Sequence, residues 1–82
     1  AEEAWPIIAG KPLSIDLPEG SDFSIIPFSD LGGLSMTGVR WPLEAADVEL
    51  GSTWTLSNRA AGGPVRVSLA SGYAIALAGV AP

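Results

Sequence analysis

What this sequence lacks narrows its chemistry first: none of its 82 residues is histidine or cysteine. The commonest general base, the usual metal ligand and any thiolate nucleophile are therefore missing. Nucleophilic catalysis would have to rest on a serine activated by lysine. The single lysine, Lys11, sits beside Pro12 near the start, a poor place for a held catalytic group. Asp16, Glu19, Asp22, Asp30, Glu44, Asp47 and Glu49 fall mostly in or beside predicted turns, where acids are ordinarily solvated. Gly32-Gly33 and Gly62-Gly63 lack the lysine and the following helix of a phosphate loop. No catalytic or metal-binding residue is expected in this chain, which reads as one part of a binding site.

Polar and aromatic groups set in apolar surroundings are the candidates for that site. In Thr37-Gly38-Val39-Arg40-Trp41-Pro42-Leu43, Pro42 restrains Trp41 to extended geometry and so fixes the direction of its indole. An indole so placed can stack on a flat ring; the other assignment is a core or rim tryptophan. Ser57-Asn58, predicted to close a strand, carries donors and acceptors suited to a heteroaromatic edge. The same pair could instead cap its own backbone. Thr55, two residues before Ser57, belongs to the same neighbourhood.

The elements that must position these groups are strands. Ten glycines and seven prolines leave hardly any window for three helical turns. Phe23, Ile25 and Pro27 alternate with Ser24, Ile26 and Phe28; Val65, Val67 and Leu69 alternate with Arg66 and Ser68. In the last run Tyr73, Ile75 and Leu77 alternate with Ala74, Ala76 and Ala78, and the alanine side suggests a face for close packing against a partner. Turn chemistry at Pro18-Glu19-Gly20, Gly32-Gly33, Gly62-Gly63-Pro64 and Ser71-Gly72 separates the runs. Strands are predicted near 12–16, 22–28, 33–40, 47–50, 53–57, 65–69 and 73–78, with a short helical turn over 42–48. The expected fold is all-β, a small β-sandwich or flattened barrel of about seven short antiparallel strands, forming one domain over 1–82.

The net charge of −5, with Lys11, Arg40, Arg59 and Arg66 scattered, offers no footprint for nucleic acid and disfavours anionic membrane surfaces. No apolar run approaches the ~18 residues of a membrane span. Ala1-Glu2-Glu3-Ala4 has neither the basic start nor the apolar stretch of a secretion signal, and the opening is expected to be a cut from a longer chain.

Four segments in order carry a family likeness: Ser24-Ile25-Ile26-Pro27, Thr37 to Leu43, Ser57-Asn58, and Val65-Arg66-Val67 followed by a hairpin into Gly72-Tyr73-Ala74-Ile75. From about Trp5 to Ala78 the chain resembles the C-terminal thiamine-binding domain of the thiamine pyrophosphokinases. The resemblance implies a cytoplasmic homodimer that transfers pyrophosphate from ATP to thiamine with Mg2+. It places ATP and Mg2+ on an N-terminal catalytic domain that lies outside this chain, so the chain alone is expected to bind neither and to be inactive. It also implies that Trp41 stacks on the pyrimidine ring, that Ser57 and Asn58 bond the aminopyrimidine or its surroundings, and that Thr55 lines the same pocket. The alternative is a non-enzymatic β-sandwich module that binds a small ligand or a protein through Trp41 and Trp54.

Overall fold

A computed structural model describes residues 2–51 and 55–79. The elements are β1 (Glu2–Ile8), β2 (Leu13–Asp16), β3 (Asp22–Pro27), β4 (Leu31–Thr37), β5 (Leu43–Val48), β6 (Leu56–Arg59), β7 (Pro64–Ser68) and β8 (Tyr73–Gly79). They form two four-stranded sheets, β1-β8-β3-β6 and β2-β7-β4-β5, and the strand pairs are antiparallel. This is the expected β-sandwich, with eight strands among the described residues rather than about seven. No helix among the described residues is long and apolar enough to cross a membrane.

The core follows from the two-residue period of the strands. Phe23 and Ile25 on β3 and Ile7 on β1 are buried, facing Ile15 on β2, Leu34 and Met36 on β4, and Val65 and Val67 on β7. On β8 the buried residues are Ala74, Ala76 and Ala78. The alanine side is therefore core, not the outer face expected from sequence. The register gives the reason: Phe23 lies opposite Ala78 and Ile25 opposite Ala76, while Ile7 lies opposite Ala74 from the other side. Large side chains on both neighbours fill the space over small ones on the central strand. Tyr73, Ile75 and Leu77 consequently point outward.

The other departures are local. Of residues 42–48, expected as a helical turn, Leu43–Val48 form the edge strand β5 paired with β4. Helix-favouring Glu44-Ala45-Ala46 is too short a run to nucleate a helix on its own, and pairing with β4 decides its conformation. The pairing is irregular between Leu31 and Met36, Ala45 is left-handed with φ 49°, and its N–H donates to Ser35 Oγ at 3.0 Å. β1 was not anticipated because Pro6 interrupts its pattern; an edge strand tolerates proline. Residues 53 and 54 of the expected 53–57 strand lie outside the described residues. β6 runs on to Arg59, so Ser57 and Asn58 sit within the strand rather than closing it.

After β4 the chain crosses from one sheet to the other. Gly38 makes the crossing, with φ 76°, and a Cβ there would collide with the carbonyl group of Pro64. Beyond it, Val39 bridges Ala60 and the Arg40 N–H donates to Arg59 O at 2.8 Å. Val39 to Trp41 thus runs along the free edge of β6. Gly38→Ala should cost at least about 2 kcal/mol, from the left-handed backbone and the carbonyl clash together. Chemical denaturation of the variant against the unsubstituted chain measures this; equal midpoints would contradict it.

Candidate functional site

The crossing segment puts Trp41 beside the β6 edge, and Asn58 holds it there. The Asn58 side chain is 6% exposed. Its Oδ1 accepts the Trp41 N–H at 3.1 Å and the Arg59 N–H at 2.9 Å, while its Nδ2 donates to Trp41 O at 2.8 Å. A carboxamide matches a peptide group in having one donor side and one acceptor side, so it pairs with the Trp41 backbone as a neighbouring strand would. The Trp41 side chain remains 56% exposed. It is a rim residue, which removes the core assignment left open by the sequence.

The outer face of β1-β8-β3-β6 provides the opposite wall. Pleating places Glu2, Gly79, Asp22 and Arg59 in one row across that sheet, with Leu77, Ser24 and Ser57 in the next. Glu2, Asp22, Ser24, Trp41, Ser57, Asn58 and Arg59 line a recess of about 490 Å3, within the usual size range of small-molecule sites. Arg59 Nη1 lies 3.1 Å from Asp22 Oδ1 and donates to Gly20 O at 3.1 Å. Gly79 contributes no side chain between Glu2 and Asp22, which leaves the floor of that row open.

Three of the residues anticipated from sequence, Trp41, Ser57 and Asn58, therefore meet in one recess. Their placements differ. Ser57 is exposed on the outer face opposite Ser24, whereas Asn58 points inward and is committed to the Trp41 and Arg59 backbones. Thr55 is exposed just before β6 and is not among the described residues lining the recess. Trp54 lies outside the described residues. Sequence reasoning missed Glu2, Asp22, Ser24 and Arg59 as parts of the site. Ser24 had a usable signal, its outward position within Ser24-Ile25-Ile26-Pro27. Glu2 and Asp22 had none, because only the sheet order brings them together across β8.

On the same outer face, away from the charged row, Ile8, Phe28 and Tyr73 are exposed and Ile26, Ile75 and Leu77 half-buried. The Phe28 and Tyr73 rings lie 6.0 Å apart at 44°. Among the described residues no group of three or more acidic side chains could hold a metal ion.

Comparison with known proteins gives a consistent picture. The family described as thiamin pyrophosphokinase, vitamin B1 binding domain, matches residues 12–74. Among solved structures, a thiamin pyrophosphokinase from Geobacillus thermodenitrificans has a TM-score of 0.85 at 19% identity, covering 98% of this chain and 38% of its own. One from Bacillus subtilis has a TM-score of 0.83 at 25% identity, covering 99% and 38%. A thiamin pyrophosphokinase family protein from Enterococcus faecalis has a TM-score of 0.76 at 12% identity, covering 99% and 38%. No curated protein matches in sequence. The chain thus spans well under half the length of these solved relatives. With 63 of its 82 residues inside the family match (12 to 74), the chain belongs to the thiamin pyrophosphokinase vitamin B1 binding domain family.

Proposed function

We propose that this chain binds thiamine in the Trp41 recess, as the substrate-recognition part of an enzyme that transfers pyrophosphate from ATP to thiamine. The observation that carries the proposal is the pairing of an exposed, backbone-clamped indole with acidic and hydroxyl groups across one recess. Thiamine has a flat aminopyrimidine and a thiazolium cation. The indole offers a stacking surface that also attracts positive charge. Glu2 and Asp22 complement a cationic ligand, and the Ser57 and Ser24 hydroxyls can accept from the amino group or donate to a ring nitrogen. In this scheme Asn58 acts through Trp41, holding the backbone from which the indole projects.

The acidic residues described here do not converge as a metal site, so they do not fit Mg2+·ATP, which needs convergent oxygen ligands and positioned charge around the phosphates. The proposal assigns nucleotide and metal to the remainder of a longer protein, such as the solved relatives possess. Thiamine diphosphate formation by the 82-residue chain supplied with ATP and Mg2+ is expected to be absent, and product detected by chromatography would refute that assignment. The exposed apolar patch around Phe28 and Tyr73 is proposed to meet a second copy, since contiguous apolar surface usually marks an interface. Tyr73→Ser combined with Phe28→Ser should move sedimentation toward the monomer. Unchanged sedimentation, or a monomeric unsubstituted chain at high concentration, would remove the dimer.

Trp41→Ala separates recognition from folding. Losing the stacking contact and its buried area should weaken thiamine binding by roughly ten- to hundredfold. Because the side chain is largely exposed, stability should fall by less than about 1 kcal/mol. Asn58→Ala should do both, costing about 1–3 kcal/mol in stability through unsatisfied backbone groups and weakening thiamine as well. Calorimetric titration and thermal melting on the same samples read the two effects, and intact thiamine affinity in folded Trp41→Ala would defeat the proposal.

A further inference from the structure

Arg40 is the one feature next to the recess that recognition of a ring leaves unexplained. Its guanidinium carbon lies 5.2 Å from the centroid of the Trp41 ring, within cation–π range. Among the described residues no carboxylate reaches ion-pairing distance of it. Arg40 also lines a separate recess of about 280 Å3 with Glu19, Gly20, Arg59, Ala60 and Ala61. The two recesses adjoin, because Arg59 lines both and Arg40 packs on the indole that walls the first. Two of the four cationic side chains of a chain with net charge −5 are thereby gathered at one place.

The donors at that place are not exhausted. Arg59 uses Nη1 for Asp22 and Gly20, and a guanidinium has five N–H groups in a fixed fork. Glu19 is the acidic lining residue, and its Oε1 lies 3.4 Å from the position a Cβ on Gly62 would occupy, toward the neighbouring loop. The combined surface carries both signs: Arg59 pairs with Asp22 and Arg40 packs on the indole, while the second recess is lined by both guanidinium groups and not by Glu2.

We infer that the Arg40–Arg59 recess is an anion subsite, which lets the domain hold a cationic heteroaromatic ring bearing a phosphate or diphosphate tail more tightly than the free alcohol. This rests on the proposal that Trp41 receives the ring. Arginine suits such a tail because its fork pairs with phosphate oxygens, and the contact is charge-assisted. The consequence is retention of phosphorylated product: Arg40 is a specificity residue that discriminates between the two ends of a pyrophosphoryl transfer.

The test is calorimetric titration of the 82-residue chain, Arg40→Gln and Trp41→Ala with thiamine and with thiamine diphosphate, metal-free, at low and high salt. The unsubstituted chain should prefer the diphosphate by about fivefold or more at low salt, the scale of a partly exposed charge pair. In Arg40→Gln that ratio should shrink to within about twofold, and added salt should narrow it in the unsubstituted chain. A ratio at or below one, or a ratio that Arg40→Gln leaves unchanged, overturns the anion subsite while thiamine binding lost in Trp41→Ala still upholds the ring site. Thiamine binding that is absent, or indifferent to Trp41, overturns the ring site and this inference with it.

Discussion

Everything on the candidate binding face depends on the parity of β8. In a pleated strand a slip of one residue turns every side chain to the opposite face. With Ala74, Ala76 and Ala78 inward, the strand accepts Phe23 and Ile25 from one neighbour and Ile7 from the other. The opposite parity would drive Tyr73, Ile75 and Leu77 into a space those side chains already fill. The inward alanines thus leave Gly79 on the outer row between Glu2 and Asp22, and Leu77 beside Ser24. Core packing and the shape of the recess floor are one decision.

The second determinant is the Asn58 carboxamide. A residue at the end of a crossing segment would ordinarily be held only by its own chain direction. Here three hydrogen bonds, two to Trp41 and one to Arg59, make the segment an extension of the sheet edge. Because Asn58 is buried, these bonds are shielded from water and costly to break. The backbone from which an exposed ring projects is thereby held by a group that is itself largely buried.

Much of this was legible in the sequence where the signal is local. The alternation of β3 and β7 needs only a count of every second residue, and the segments holding Trp41, Ser57 and Asn58 could be read as a set. The failures were non-local. Tyr73, Ile75 and Leu77 look like the core side of β8 until the large residues of β1 and β3 are known to flank it. Glu44-Ala45-Ala46 favours a helix until β4 supplies a pairing partner. The role of Asn58 depends on contact with a residue 17 positions away, and the meeting of Glu2 with Asp22 depends on sheet order.

The crossing at Gly38 carries a further consequence. Trp41 is tied by the short Gly38 crossing to β4 in one sheet and by Asn58 to β6 in the other, so a molecule held as proposed between the indole and the outer face would favour the arrangement in which both sheets are in place. Such a molecule has full affinity only for the docked sandwich. By mass action a ligand at a hundred times its dissociation constant adds about 2.7 kcal/mol to the stability of the state it binds. For a domain this small, with no disulfide to staple it, a ligand bound as proposed would add stabilisation on that scale.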